Sequence, residues 1–128
     1  MSQALETWHR LAASRDVALL DSILADEAVF HSPIVHTPQI GKEITSKYLK
    51  AAFHVLFGDT FKYVRELVGE RDAVLEFVVE IDGIFVNGVD MITWNEEGQI
   101  IEFKVMVRPL KAINLLHEKM MMELQESK

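Results

Sequence analysis

Residues 88–100 have the sequence GVDMITWNEEGQI, which is the most specific segment of the chain. The side chains of its first half repeat with a period of two, which is typical of a β-strand. This period puts Asp90, Ile92 and Trp94 on one face of the strand. Residues 95–98 are rich in turn-forming types, and a second strand pattern follows them. The stretch is therefore predicted to be a hairpin that places one carboxylate beside two large apolar side chains.

The hairpin lies inside a longer segment, residues 61–107, that has the same β-type period. Breaks at 69–72, 82–83 and 95–98 divide the segment into strands and predict hairpin turns. One face of the resulting sheet is apolar and the other is largely charged. An antiparallel meander with one face to be covered is the expected arrangement.

Helical spacing surrounds this meander on both sides. Apolar residues recur at steps of three and four around Trp8, then over residues 17–24 behind the capping residue Asp16, and again over residues 42–57. A fourth helix is predicted after Pro109. Three helices, a sheet and a last helix predict an α+β fold in which helices cover one side of a curved sheet.

Two short segments connect the second and third helices. Residues 28–32 are predicted to form a short strand that Pro33 ends. Residues 28–41 contain two prolines and two histidines, and the part from Pro33 to Gly41 is predicted to be a loop that rims a pocket.

The composition narrows the class of protein. The 128 residues, 49% of them hydrophobic, suit a single domain over residues 1–128, and cysteine is absent. A net charge of −7 without basic clusters argues against nucleic acid and anionic membranes as partners. With no apolar run of membrane-spanning length and no signal-like start in residues 1–6, we expect a cytoplasmic protein.

Three motifs carry a resemblance to a known superfamily. Residues 24–33 (LADEAVFHSP), 88–100 and 105–110 (VMVRPL) resemble the nuclear-transport-factor-2-like proteins, and among them the SnoaL-like cyclases and the ketosteroid isomerases. The likeness spans nearly the whole chain. It implies a cone-shaped roll, in which three N-terminal helices pack on a curved mixed or antiparallel sheet and a C-terminal helix follows. It also supports a homodimer.

The resemblance to the isomerases can be followed at three positions. The aspartate that stabilises the oxyanion corresponds to Asp90. The general-base aspartate corresponds to Ser32, and the tyrosine of the first helix corresponds to Trp8; neither residue has the chemistry of its counterpart. Steroid isomerisation by that mechanism is therefore not expected. In the SnoaL-like cyclases a carboxylate in this strand region is implicated in acid and base chemistry, which again points to Asp90.

Asp90, His36 and Tyr48 are the candidate catalytic residues. Asp90 would act as acid or base in an apolar cavity, His36 would supply a base near neutral pH, and the Tyr48 phenol would donate to a bound carbonyl. The alternative for Asp90 is a structural role in an ion pair or turn. His31 points outward if Ser32 points inward. His31 and His36 have no third ligand at a metal-binding spacing, so no metal is predicted. No nucleotide motif or phosphate-binding glycine loop indicates a cofactor.

A hydrophobic ligand is the expected small-molecule partner. The candidate ligand-binding side chains are apolar or small and lie on the helix and sheet faces predicted to point inward; ordinary core packing is the alternative for the aromatic ones. The candidates are Trp8, Ser32, Phe53, Phe57, Phe77, Ile92, Trp94, Phe103 and Val105.

The outer face of the sheet is the expected homodimer interface. It carries a charged row that apolar and small side chains interrupt, as they do in two-fold interfaces. The row is Glu76, Glu80, Glu102, Lys104 and Arg108, and the interruptions are Val78, Met91, Thr93 and Met106. Two functions remain open: a ligand-binding protein that acts as an isomerase, cyclase or hydratase, and a non-catalytic domain that binds a partner.

Overall fold

A computed structural model describes residues 3–126 as helices packed against one face of a six-stranded sheet. The helices are α1 (Gln3–Ser14), α2 (Leu20–Ile23), α3 (Lys42–Leu56) and α4 (Leu110–Glu126), with a 3-10 turn at Val17–Leu19. The strands are β1 (Leu24–His31), β2 (Gln39–Ile40), β3 (Lys62–Val68), β4 (Asp72–Ile81), β5 (Ile84–Trp94) and β6 (Ile100–Arg108). No helix among the described residues is both long and apolar enough to cross a membrane.

The sheet is mixed, with the strand order β2-β1-β6-β5-β4-β3. Strands β3 to β6 form an antiparallel meander, as the turn pattern predicts. Strand β1 then pairs parallel to β6, from Leu24 opposite Ile100 to His31 opposite Lys104. Strand β1 thereby extends the sheet beyond β6, on the side opposite β3. The two-residue strand β2 pairs with β1 and forms that edge of the sheet.

The inner face of the sheet and the inward faces of α1, α3 and α4 form one hydrophobic core. Trp8, Phe77 and Phe103 are among its largest fully buried side chains. On β4 the buried residues alternate with partly exposed ones along the strand, which is the pattern of a sheet covered on one side. The α+β roll with a C-terminal helix, predicted from the sequence, is confirmed.

Three local predictions need correction. The helix predicted over residues 17–24 is a 3-10 turn followed by one turn of α-helix, because Leu24 already has extended backbone angles and pairs with Ile100. Strand β1 accordingly starts at Leu24 rather than at residue 28, and it ends at His31. The predicted loop contains β2, which pairs with Val29 and Phe30 through the backbone.

Candidate functional site

Asp90 lies in the middle of β5, on the inner face of the sheet. Leu75 of β4 and Val105 of β6 are its direct neighbours across the strands. Only 6% of the Asp90 surface is exposed, whereas its sequence neighbours Val89 and Met91 on the other face are half-buried. The strand alternation that the sequence shows therefore turns this carboxyl group into the core.

The Tyr63 hydroxyl is the hydrogen-bond partner of Asp90. It donates to Oδ2 of Asp90 over 2.6 Å, a distance typical of a strong bond from a hydroxyl to a carboxylate. Tyr63 lies on β3, two strands away from β5 in the sheet, and its long side chain reaches across β4. The bond occupies one carboxyl oxygen, Oδ2.

Trp8 of α1 sets the direction of this bond. Its indole Nε1 donates to the Tyr63 hydroxyl oxygen over 2.9 Å. An indole N–H can only donate, and a phenol has one proton, so that proton is directed to Asp90. Because Oδ2 accepts from Tyr63, any proton that Asp90 itself carries is placed on Oδ1.

Burial controls the protonation of both groups. Burial raises the pKa of Asp90 from 3.8 to about 7, although the hydrogen bond from Tyr63 lowers it in part. Burial, followed by the nearby charge of Asp90, raises the pKa of Tyr63 well above 10.0. Tyr63 therefore remains a donor at neutral pH, while Asp90 exchanges its proton in the range where acid and base catalysis are efficient.

Aromatic packing holds the three residues in place. The Trp8 ring lies between Phe53, at 5.2 Å, and Phe103, at 4.8 Å between ring centroids. The Phe77 ring packs edge-on against Tyr63 and covers Gly88, where an added Cβ would lie 2.5 Å from the Phe77 ring. Because Gly88 has no side chain, the Phe77 ring can lie over it and pack against Tyr63.

A small, partly enclosed pocket lies beside this site, between β1, α3, β6 and α4. Val105, the direct neighbour of Asp90 on β6, is one of its lining residues, so the two Cβ atoms are roughly 4.5–5.5 Å apart. Leu116 and Met120 of α4 cover the other side. About 20 Å³ of this pocket is accessible to water, which is room for about one molecule.

Ser32 supplies the one polar side chain among the described residues that line the pocket. Its hydroxyl oxygen accepts hydrogen bonds from the backbone N–H groups of Ile34 and Val35, at 3.0 and 3.3 Å. These bonds hold the turn that follows β1. The pocket is otherwise apolar, as expected for a hydrophobic ligand.

A second, broader depression lies on the surface around α3. Its lining includes Asp21, Lys47, Lys50 and Glu123, and it is open to solvent. Lys50 pairs with Asp21 at 3.5 Å within it. Its mixed charges distinguish it from the partly enclosed apolar pocket, and we do not assign the site there.

The other candidate catalytic residues lie on different elements from Asp90. His36 is exposed in the loop between β1 and β2. Tyr48 is half-buried on α3, with its ring 6.0 Å from Phe30. The hydroxyl that bonds to Asp90 belongs to Tyr63 instead. His31 pairs with Glu102 at 3.2 Å on the outer side of the sheet.

The predicted ligand-binding residues fall into two groups. Ser32 and Val105 line the partly enclosed pocket. The aromatic and aliphatic members belong to the core or pack against it; they are Trp8, Phe53, Phe57, Phe77, Ile92, Trp94 and Phe103.

Sequence reasoning missed Tyr63 and the pocket residues of α4. Phe61 is buried and Tyr63 half-buried, while Lys62 and Val64 are exposed, so the period of two did contain a signal that Tyr63 points inward. No local pattern indicates that its hydroxyl reaches Asp90, because β3 and β5 meet only through the fold. Within residues 3–126 no three His, Asp or Glu side chains converge as they would around a metal ion.

Comparison with known families agrees with this architecture. Residues 5–103 match the family described as the SnoaL-like domain. The chain belongs to that family. No protein of curated function matches this SnoaL-like protein in sequence.

Solved structures include close relatives of this SnoaL-like protein. A steroid delta-isomerase from Pseudomonas aeruginosa is 36% identical, with 97% of this chain and 90% of that chain covered and a TM-score of 0.92. An uncharacterised bacterial protein with a cystatin-like fold from Silicibacter pomeroyi is 28% identical, with 94% and 84% covered and a TM-score of 0.85. A putative SnoaL-like polyketide cyclase from Jannaschia, 15% identical with 87% and 89% covered and a TM-score of 0.67, shares the fold.

Proposed function

We propose that this SnoaL-like protein binds a small hydrophobic molecule and uses Asp90 as an acid or base in a cofactor-independent isomerisation, cyclisation or hydration. The observation that carries the proposal is the 2.6 Å bond from Tyr63 to a buried carboxyl group whose cross-strand neighbour, Val105, lines an apolar pocket. The family and the 36% identity to a steroid delta-isomerase support a general ligand-binding or isomerase-like function.

The arrangement suits proton transfer to or from a ligand oxygen. Protonated Asp90 presents its proton on Oδ1, where it can stabilise the negative charge that develops on a carbonyl oxygen. The ionised form can take a proton back, because its pKa of about 7 lies near the operating pH. Tyr63 stabilises the ionised form by donating to Oδ2.

The reaction differs from that of an isomerase with a carboxylate base. Ser32 occupies the position that the resemblance assigns to the base, and a neutral hydroxyl cannot remove a proton from carbon. His36 and Tyr48 remain proposed helpers, and neither is among the residues that line the pocket. Asp90 is therefore the residue on which the proposed chemistry depends.

Native mass spectrometry of the purified protein tests the proposal. The wild type is compared with Asp90→Asn and with Asp59→Asn, a control at an exposed carboxylate. We expect the wild type and the control to retain the same apolar molecule, and Asp90→Asn to retain less of it. The identified molecule is then incubated with each protein, and only Asp90→Asn should lose turnover. Equal retention and equal turnover in all three proteins would contradict the proposal.

A non-catalytic domain is the second candidate function. The observation that favours it is the dense aromatic core, where Trp94 and Phe103 are 3% and 1% exposed and the pocket admits about one water molecule. In that case Asp90 is a structural acid. The absence of a retained molecule from every protein, together with an effect of Asp90→Asn on stability alone, would favour this candidate.

We also propose a homodimer through the outer face of β4, β5 and β6. Helices cover the inner face, and the outer face carries Val78, Met91 and Thr93, which are half-buried, beside Met106, which is 52% exposed. Sedimentation analysis of Met106→Glu should show a dimer weakened roughly tenfold or more, because a charge would be buried at the interface. Met122→Glu, at an exposed methionine of α4, is the matched control. A monomeric wild type would contradict the proposal.

A further inference from the structure

Ser32 has one hydrogen-bonding capacity that its own turn does not use. A serine hydroxyl has two acceptor lone pairs and one donor proton. The backbone N–H groups of Ile34 and Val35 use the acceptor side, at 3.0 and 3.3 Å. What Ser32 can still offer is its O–H proton.

The side chains around Ser32 offer that proton no strong acceptor, but Ser32 is only half-buried, so water at the pocket mouth can accept it. The side chains that share the pocket with it are hydrocarbon or thioether groups, such as Val105, Leu116 and Met120. A hydroxyl donor that faces an apolar space without an acceptor costs free energy. A ligand that displaces this water must therefore bring an acceptor of its own.

We propose that the pocket selects an apolar molecule with an uncharged oxygen acceptor, such as a ketone, ester or ether, and that Ser32 donates its hydroxyl proton to that oxygen. An uncharged acceptor fits because none of the described lining residues is cationic. At the position where the isomerases take a proton from carbon, this chain instead binds an oxygen. The inference rests on the proposed function, since it requires the pocket, which has room for about one water molecule, to widen around a ligand.

The test uses two probes of nearly equal shape, cyclohexanone and methylenecyclohexane, in which a CH2 group replaces the oxygen. Each is titrated into the protein, and the methyl NMR signals of Val105 and Leu116 report binding in the pocket. Wild type, Ser32→Ala and Ser32→Thr are compared. Ser32→Ala removes the donor, and Ser32→Thr keeps it.

We expect Ser32→Ala to weaken cyclohexanone binding about fivefold to tenfold relative to methylenecyclohexane, the factor for one neutral hydrogen bond. Ser32→Thr should restore the ratio. The hydrocarbon probe controls for damage to the turn, because such damage would weaken both probes alike. If the ratio of the two probe affinities is unchanged in Ser32→Ala, the inference about Ser32 is wrong, while the proposal of a ligand pocket is unaffected. If neither probe moves the methyl signals of the wild type, the inference and the pocket proposal fail together.

Discussion

The Tyr63 hydroxyl donates to Oδ2 of Asp90 from a strand that is not its neighbour in the sheet. Asp90 is buried and Tyr63 is half-buried, and the bond joins the edge strand β3 to the central strand β5 across β4. The protonation of Asp90 therefore depends on the position of β3.

Replacing Asp90 by Asn should change how stability depends on pH. The pKa of Asp90 is raised from 3.8 to about 7 on folding, so the folded state holds this proton more tightly than the unfolded state. The wild type should lose stability as the pH rises from about 4 to 7, by about 4 kcal/mol, and no more from this group above pH 7. Asn mimics the neutral acid and should lack that loss.

Urea unfolding at several pH values between 4.5 and 8 measures this difference. Asp59→Asn, at an exposed carboxylate, should follow the wild type at every pH. A constant difference in the free energy of unfolding between the wild type and Asp90→Asn across the pH range would show that folding does not shift the pKa of Asp90.

Replacing Tyr63 by Phe should raise the pKa of Asp90 further. The hydroxyl lowers this pKa by bonding to the carboxylate, and its loss leaves burial unopposed. The variant should also lose about 1–3 kcal/mol of stability, because the Trp8 indole N–H loses its acceptor. A carboxyl-carbon NMR titration reports the pKa directly. Tyr48→Phe removes a hydroxyl from α3 and should leave the Asp90 titration unchanged.

Replacing Trp8 by Phe should raise the pKa of Asp90 by less than Tyr63→Phe does. The indole N–H polarises the Tyr63 hydroxyl, and its removal weakens the bond to Asp90 without abolishing it. Because Trp8 acts through Tyr63, Trp8→Phe should not shift the pKa further in a Tyr63→Phe background. Additive shifts in the double variant would instead assign Trp8 an independent effect, through packing.

Replacing Gly88 by Ala should destabilise the protein by about 1–3 kcal/mol, the usual cost of overpacking a core. The new methyl group would lie 2.5 Å from the Phe77 ring and 2.7 Å from the backbone oxygen of Met106. Gly58→Ala is the matched control, because nothing lies within 4 Å of its added Cβ. Thermal unfolding of both variants measures the contrast, and equal effects would argue against a supporting role for Phe77.

The sequence was sufficient to predict the fold because the spacing of its apolar residues differs clearly between helical and strand segments. The alternation around Asp90 predicted both the hairpin and the inward carboxyl group, and the helical spacing around Trp8 predicted α1. The start of β1 was harder to place, because Leu24 fits a helix face and a strand equally well and only its pairing with Ile100 decides. Strand β2 has only two residues, which are too few to show the alternation of a strand in the sequence.

The site was less predictable than the fold for a physical reason. Burial of Asp90 follows from its own strand, so one sequence pattern suffices. The contact with Tyr63 depends on the twist of the sheet and on the reach of a side chain across β4, which no local pattern contains. The donor role left to Ser32 likewise depends on the turn to Ile34 and Val35.

The parallel pairing of β1 with β6 has a consequence for how the molecule folds. The meander from β3 to β6 can assemble from segments adjacent in the chain, and Asp90 lies at its centre. Strand β1 meets β6 only after a long intervening loop of chain has closed, which is an entropically slow step. We therefore expect the pocket wall that carries Ser32 to form after the strands that hold Asp90 have paired.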